Sequence, residues 1–195
     1  MKELILASNS PRRKELLCML GLEFSVIPDN TPECIDQNLS PAELVMALAK
    51  FKGDNVCKTL SQNRDALIIA ADTVVATNDT ILGKPKSKED AEKMLTALSG
   101  KSHTVYTGVY LIENLTGKSS NFYEKTEVFF KNLDINEIKD YINTGEPMDK
   151  AGSYGIQNFG SLFVEKINGD YFNVVGLPVC ALGKSLSKDF GIKFF

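Results

Sequence analysis

The sequence predicts an α/β fold in which helices flank a mixed β-sheet. Short apolar runs typical of strands alternate with amphipathic helical patterns, and the first three elements have the order β-α-β. The most apolar run, residues 66–77, is nearly continuous, as in central strands covered on both faces. Strand patterns follow one another later in the chain, so antiparallel neighbours are expected as well.

The composition limits the class of protein. With 195 residues and 43% hydrophobic content, the chain can bury one sizeable core, and we expect a single domain over residues 1–195. A net charge of -3 argues against a general nucleic-acid binder. The four cysteines are scattered, which argues against a zinc site or a disulfide framework. Since no secretory or membrane-spanning segment is recognisable, we expect a cytoplasmic protein without a membrane partner.

The first part of the chain contains clear helix-start signals. Strands are predicted at residues 4–8 and 24–27, and between them Ser10 is a preferred N-cap for a helix that ends near Gly21. Ser40 begins a capping box and so predicts a second helix. Its apolar face is predicted to comprise Leu44, Leu48 and Phe51, and Lys52 is predicted to lie at the edge of that face.

The rest of the chain mixes strands and helices. Ser87 and Asp134 are predicted to cap two further helices, and strands are expected between them at 103–112 and 121–130. The glycine-rich residues 145–160 are predicted to form a loop.

The C-terminal part is predicted to contain a hairpin and a last helix. Residues 162–175 are expected to form the hairpin, with its turn at Asn168-Gly169. Pro178 is expected to open the helix, which continues to about residue 188.

Two arginines lie where a helix does not favour cations. Arg12 and Arg13 fall in the first turn after Ser10, at the positive end of the helix dipole, where each charge is misplaced by about 0.3 to 1 kcal/mol. An anion held by backbone N–H groups, by the hydroxyls of Ser8 and Ser10 and by both guanidinium groups would explain this arrangement. A solvated basic first turn is the alternative interpretation.

Asp72 interrupts the most apolar strand, where an unpaired charge costs several kcal/mol. It is therefore a candidate catalytic or metal-binding carboxylate, or else it lies at the solvent end of the strand and caps a turn. Thr73 is expected on the opposite face of the sheet. Glu33, in the loop after the second strand, is either a second carboxylate for a metal or a surface charge.

Two later loops carry further candidates. Lys84 lies between a glycine and a proline, and it is either a ligand-binding cation or part of a solvated basic loop. Gly152 and Gly155 permit close backbone approach to a ligand, while the donor and acceptor of Gln157 can read a base edge. His103 has no visible partner in the sequence and is interpreted as structural.

The segments SNSPRR, AADTVV, LGKP, LSGKSHTVYTGV, GEPMDKAGSYGIQ and INGDYFNVVGLP resemble the signature blocks of the Maf family of nucleoside triphosphate pyrophosphatases. They occur in the family's order over nearly the whole chain. The resemblance implies an ITPase-like α/β fold with a central nucleotide-binding cleft, often as a homodimer. It also implies hydrolysis between the α and β phosphates and a requirement for a divalent cation, Mg²⁺ or Mn²⁺.

By position, the resemblance assigns roles to single residues. Asp72 matches the catalytic carboxylate, the proton acceptor, and Glu33 matches an acidic position near the metal. Arg12, Thr73 and Gln157 match positions associated with substrate choice. Their combination resembles the branch that acts on dTTP and UTP, as opposed to the branch that acts on 7-methyl-GTP.

The basic positions that line the triphosphate cleft are matched by Arg13, Lys52 and Lys84, and Ser8 is a further candidate for binding the substrate. Asn158 departs from the pattern, because many relatives have glycine after the glutamine. This departure concerns the geometry of the base pocket more than the chemistry.

Two other functions are weighed against hydrolysis. The first is a nucleotide-binding regulator of septum formation that does not turn its ligand over, since the family has been linked with cell division. The second is a nucleic-acid binder that uses Arg12, Arg13 and Lys14, against which the acidic overall balance counts.

We predict that Arg12→Ala leaves the empty protein as stable as the wild type or slightly more stable, because a cation leaves the positive end of the helix dipole. With dTTP bound the sign reverses, since the variant lacks a charge-assisted contact contributing about 1.5 to 3 kcal/mol, or roughly ten- to a hundredfold in affinity. Thermal melts with and without dTTP, under conditions that block turnover, measure both effects. A variant that is less stable when empty, and that gains the same shift from dTTP, would make Arg12 a structural residue.

Overall fold

The computed structural model of the chain describes residues 2–32, 39–78 and 80–195. No helix in these ranges is long and apolar enough to cross a membrane. In chain order, the elements of the described ranges are β1 (Glu3–Leu6), α1 (Pro11–Met19), β2 (Ser25–Val26), α2 (Pro41–Thr59), β3 (Ala66–Ala76), β4 (Ile81–Leu82), α3 (Lys88–Leu98), β5 (Ser102–Glu113), β6 (Ser119–Phe130), α4 (Ile135–Asn143), β7 (Val164–Asn168), α5 (Tyr171–Val175) and α6 (Val179–Phe190).

The strands form one mixed sheet. Its order is β2-β1-β3-β5-β6-β7, and β4 pairs with β3 outside this path. β1 lies parallel to both β2 and β3, whereas β4 is antiparallel to β3 and β7 is antiparallel to β6. The predicted α/β class, with a mixed sheet flanked by helices, is confirmed.

The chain divides into two compact units. The first comprises Met1–Asp72, Thr107–Glu124 and Gly176–Phe195, and the second comprises Thr73–Tyr106 and Lys125–Val175. The single domain expected over residues 1–195 stays a prediction.

In the first unit, local capping signals define the helices as expected. The Ser10 hydroxyl accepts a hydrogen bond from the Arg13 backbone N–H at 3.5 Å, and Gly21 follows α1 with φ at +69°. The Ser40–Glu43 capping box at the start of α2 is formed. The core beside these helices is built from Ile5, Ala7, Ala49, Val56, Ala66, Ile68, Ala70 and Tyr110.

The predicted apolar face of α2 is right only at Leu48, because Leu44 and Phe51 are half-buried. Close contacts at two glycines explain why the buried face of α2 differs from the predicted one. A Cβ on Gly53 would lie 2.6 Å from the Tyr110 ring, and one on Gly108 would lie 2.2 Å from the Val45 carbonyl oxygen. Close approach to β5 therefore selects the buried face, which comprises Val45, Leu48, Ala49, Gly53 and Val56.

The second unit has its own core. Ser87 and Asp134 cap α3 and α4 as predicted, each with its side chain accepting a backbone N–H. These helices pack their buried faces into a cluster that also holds aromatic residues from the strands and loops. Its members include Val75, Leu95, Leu98, Phe130, Ile138, Tyr141, Tyr154 and Phe163.

Two predictions for the later part of the chain are wrong. The predicted loop over 145–160 contains short 3₁₀ helices at Glu146–Asp149 and Ala151–Ser153, and a third begins at Asn158. No hairpin turns at Asn168-Gly169 in the described chain, because β7 pairs with β6 and α5 follows. The Asp170 carboxylate accepts the Phe172 N–H at 2.8 Å, and this contact favours a helix there.

His103 is a structural residue of the second core, as expected. It is 3% exposed, and its Nε2 lies 2.7 Å from the Tyr154 hydroxyl. Its ring meets Phe130 edge-on, with 4.9 Å between the ring centroids.

We predict that His103 makes stability depend on pH between about 6.5 and 4. Burial lowers the pKa of His103 from 6.5 to about 4. Between these values the unfolded chain binds a proton that the folded chain does not, so the free energy of unfolding falls as the pH falls. The loss is about 1.4 kcal/mol per pH unit, or about 3 kcal/mol in all. Urea unfolding of the wild type and His103→Gln across this range isolates the contribution, and parallel pH profiles would contradict it.

Candidate active site

The topology of the first unit predicts a crevice at the carboxyl ends of its parallel strands. The chain leaves β1 through α1 to reach β2 on one side, and it then passes through α2 to β3 on the other side of β1. Connections that diverge in this way open a crevice between the two strands, where open α/β sheets bind ligands. The Ala7 N–H donates to the Ile69 carbonyl at 2.8 Å. Ser8 follows Ala7 directly, and Asp72 lies three residues after Ile69 in β3.

Asp72 is paired with a lysine from α2. The Lys52 ammonium donates to the Asp72 carboxylate, and the two side chains are 18% and 15% exposed, respectively. The pairing explains how an apolar strand accommodates a carboxylate, because a buried charge is tolerated when it has a partner of opposite sign. Sequence reasoning named both residues, and the structure brings them together.

Arg13 and Ser8 form a second contact in this unit. Arg13 Nε donates to the Gly176 carbonyl at 2.9 Å, and its Nη1 donates to the Ser8 hydroxyl at 3.1 Å. Burial lowers the pKa of Arg13, the charge of Asp72 raises it, and that of Arg12 lowers it further. Arginine nonetheless stays protonated in proteins.

Ser8 is only 8% exposed. Its hydroxyl accepts one hydrogen bond from Arg13 Nη1 and one from the Ser10 backbone N–H. A serine hydroxyl has two acceptor sites and one donor, so its proton is the group that can bond to an anion. The Ser10 hydroxyl, by contrast, caps the Arg13 N–H. The Ser10 hydroxyl can still donate its own proton, so its expected contact with an anion stays a prediction. Arg12 is half-buried in the same turn.

Asp29 is a site candidate that the sequence analysis missed. It lies three residues after β2, and its carboxylate accepts from the Thr31 N–H at 3.1 Å and from Asn55 Nδ2 at 3.2 Å. Burial raises the pKa of Asp29, but hydrogen bonds from Thr31 and Asn55 and the charge of Lys52 bring it below its ordinary value. The signal that could have found it is an aspartate at the carboxyl end of a parallel strand.

The second unit holds the other predicted residues. Thr73 is half-buried in β3, Lys84 is exposed after β4, and Gln157 is half-buried. The Gly152 N–H donates to the Gly83 carbonyl at 3.0 Å, which joins the loop of Lys84 to the loop that leads to Gln157.

The glycines of the second loop, Gly152 and Gly155, also have close contacts within the chain. A Cβ on Gly152 would lie 2.9 Å from the Val75 side chain, and one on Gly155 would lie 2.8 Å from the Lys150 stem. Packing against Val75 and a φ of +66° therefore favour glycine at 152, whereas the flexible Lys150 stem could move away from a side chain at 155. The expected close approach of these glycines to a ligand stays a prediction.

The described residues offer limited means of holding a metal. They contain no group of three or more His, Cys, Asp or Glu side chains suited to a metal, and Glu33 lies outside the described residues. Mg²⁺ needs only one or two carboxylates when phosphates supply the other oxygens. Asp72 and Asp29 both offer hard carboxylate oxygens of the kind that Mg²⁺ prefers, and both lie near Lys52.

We predict that Arg13→Lys destabilises the empty protein by about 1 to 3 kcal/mol, because one ammonium cannot replace two directed bonds made by a guanidinium fork. Urea unfolding measures the loss. Arg64→Lys is the matched control, since Arg64 also makes two bonds, but to the partly exposed Glu3 at 2.7 and 2.8 Å. There we expect less than about 1 kcal/mol. Equal losses in the two variants would contradict a special role of Arg13.

Comparison with known proteins identifies the family of the chain. Residues 3–189 match the family model Maf, described as "Maf-like protein". A protein of Alkaliphilus metalliredigens named dTTP/UTP pyrophosphatase is 49% identical over 192 residues, which cover 98% of each chain. Proteins of the same name from Caldicellulosiruptor bescii and Bacillus pumilus are each 51% identical, over 96% and 100% of this chain and 95% and 100% of their own.

A solved structure, that of the Staphylococcus aureus Ham1 protein, has a TM-score of 0.41 and 17% identity over 66% of this chain and 72% of its own. This likeness is too distant to bear on function. The family match over nearly all of the sequence is decisive by itself. The chain belongs to the Maf family.

Proposed function

We propose that this chain is a nucleoside triphosphate pyrophosphatase that hydrolyses dTTP and UTP to the monophosphate and pyrophosphate. The observation that carries the proposal is the Asp72 carboxylate paired with Lys52, in the unit that also holds Arg13, whose pKa the charge of Asp72 raises. Relatives about half identical over nearly the whole chain, and named dTTP/UTP pyrophosphatase, support the choice of substrate.

The cations of the first unit bind the triphosphate. Arg13 donates to the Ser8 hydroxyl and to the Gly176 carbonyl. These bonds fix the orientation of the guanidinium group and of the Ser8 hydroxyl. Arg12 adds a second guanidinium fork, which suits phosphate oxygens. The Lys52 ammonium has three donors, so it can hold Asp72 and a phosphate oxygen together.

Asp72 acts as the general base. It takes a proton from a water molecule whose oxygen forms a bond to phosphorus, while the α–β anhydride bond breaks and its electron pair leaves with pyrophosphate. The Lys52 ammonium donates to the Asp72 carboxylate and so holds it in one position in the strand.

A divalent cation, Mg²⁺ or Mn²⁺, is part of the proposal. Asp72 and Glu33 are its proposed ligands, and Asp29 offers a further carboxylate of the same unit. When bound, the cation neutralises charge on the phosphates.

Substrate choice is assigned to Arg12, Thr73 and Gln157, and Lys84 is assigned to the triphosphate. The side-chain amide of Gln157 presents one acceptor and two donor hydrogens, which can pair with the N–H and C=O edge of thymine or uracil. The homodimer, the cytoplasmic location, the absence of nucleic-acid and membrane partners, and a role in cell division stay predictions.

The direct test is product analysis across a panel of nucleotides with Mg²⁺, Mn²⁺ or EDTA. We expect pyrophosphate and monophosphate from dTTP and UTP, and loss of turnover in EDTA. Orthophosphate as the sole early product would contradict the proposal. Tight binding of dTTP without any product would instead support the non-catalytic regulator.

We predict that Asp72→Asn lowers turnover by about 10²- to 10⁴-fold while nucleotide binding changes little, because the amide keeps the shape of the carboxylate but cannot accept the proton. Pyrophosphate release measures turnover, and calorimetry with a non-hydrolysable dTTP analogue measures binding.

Asp54→Asn is the matched control, because Asp54 also pairs with a lysine of α2, Lys50, on the more exposed surface. There we expect turnover within about twofold of the wild type. A folded Asp72→Asn variant with ordinary turnover would remove Asp72 from the mechanism.

A further inference from the structure

We propose that Tyr141 and Glu146 form a clamp that positions Gln157 and thereby sets the choice between uracil and cytosine bases. The Tyr141–Glu146 clamp lies entirely in the second unit. The proposal rests on the proposed function, because it concerns how the base-reading residue of that reaction is held.

The Glu146 carboxylate gathers three donors. Its Oε2 accepts the Phe159 backbone N–H at 3.1 Å, and its Oε1 accepts the Gly160 backbone N–H at 3.2 Å. Oε1 also accepts the Tyr141 hydroxyl at 3.0 Å. Glu146 therefore anchors the backbone two and three residues after Gln157.

Tyr141 anchors the backbone on the other side of Gln157. Its hydroxyl accepts the backbone N–H of Gly155, and burial together with the charge of Glu146 raises the pKa of Tyr141, so the hydroxyl keeps its proton. The ring is 4% exposed and packs edge-on against Phe163, with 4.8 Å between the centroids. This packing fixes the position of the hydroxyl.

The backbone between the anchors is shaped for this contact. Gln157 is extended, and Asn158, the first residue of the 3₁₀ helix, has a left-handed φ of +54°. A left-handed residue followed by helical ones directs successive N–H groups at one anion, here the carboxylate of Glu146. Gly160 has no room for a side chain, since a Cβ would lie 2.3 Å from the Gly155 oxygen and 2.9 Å from the Tyr141 hydroxyl.

A residue that reads a base edge has to be held within about 0.5 Å of its working position. UTP and CTP have pyrimidine rings of the same size and differ in the donors and acceptors on that edge. Loosening the segment that carries Gln157 should therefore reduce discrimination between the two nucleotides more than it reduces the chemical step.

The test uses Tyr141→Phe and Glu146→Gln, which keep the shape of each side chain. We expect the ratio of kcat/KM for UTP to that for CTP to fall at least fivefold, mainly through a higher KM for UTP. If CTP turnover is below detection, its inhibition constant against UTP replaces it. The matched controls are Tyr171→Phe, 41% exposed in the wild type, and Glu165→Gln on the exposed side of β7. Both controls should leave the ratio within about twofold of the wild type.

A double variant tests whether the clamp acts through Gln157. Gln157→Ala should lower the same ratio, and adding Tyr141→Phe should lower it no further, because the group that the clamp positions is already absent. Full additivity of the two losses would overturn the proposal. An equal loss of kcat/KM for UTP and CTP in the clamp variants would also overturn it.

Hydrogen exchange provides a readout that does not depend on activity. In the empty protein, Tyr141→Phe should speed amide exchange at Gly155, Phe159 and Gly160 at least fivefold. The rate of global unfolding should change by a much smaller factor. Unchanged exchange at all three amides would contradict the clamp. Absence of pyrophosphate from the wild type would instead contradict the proposed function, while the exchange result would still decide whether the clamp holds the segment.

Discussion

The ion pair between Lys52 and Asp72 is the interaction on which the rest of the candidate site depends. β3 is buried from Ala66 to Ala71, so a carboxylate at the next position needs a partner. Removing one member of such a pair leaves an uncompensated charge, at a cost of about 3 to 5 kcal/mol. Lys52 reaches Asp72 because α2 lies close against β5, where Gly108 leaves room for the Val45 carbonyl. The core and the site therefore require the same helix position.

The charges of the candidate site favour the binding of a polyanion, and hydrogen bonds hold these side chains in place when no ligand is bound. Of the charged candidate residues of the first unit that the structure describes, three are cations and two are carboxylates: Arg12, Arg13, Lys52, Asp29 and Asp72. Asp29 is held by Thr31 and Asn55, and Arg13 is held by Ser8 and Gly176. Because these bonds fix the groups before a ligand arrives, less ordering is needed on binding. The opposed helix dipole at α1 is thus offset by contacts within the chain as well as by the proposed phosphate.

The features that were predicted correctly have local causes, and those that were missed depend on distant residues. Ser10 and Ser40 cap helices through bonds to residues three positions away, which a sequence displays directly. The buried face of α2 depends on Tyr110 and so was not visible. The Asn168-Gly169 turn signal competed with the Asp170 cap, and the pairing of β7 with β6 decided between them. Asp29 escaped notice because its partner Asn55 lies 26 positions away in the sequence.

Asn158 shows how a departure from a family pattern can leave the geometry intact. Its φ of +54° is a conformation that glycine adopts freely and that asparagine tolerates better than most residues with a side chain. The following N–H groups, those of Phe159 and Gly160, still meet the Glu146 carboxylate. A β-branched residue at this position would oppose the left-handed turn and turn these donors away from the carboxylate. The constraint at position 158 is thus on the backbone, and asparagine satisfies it with a side chain that is exposed.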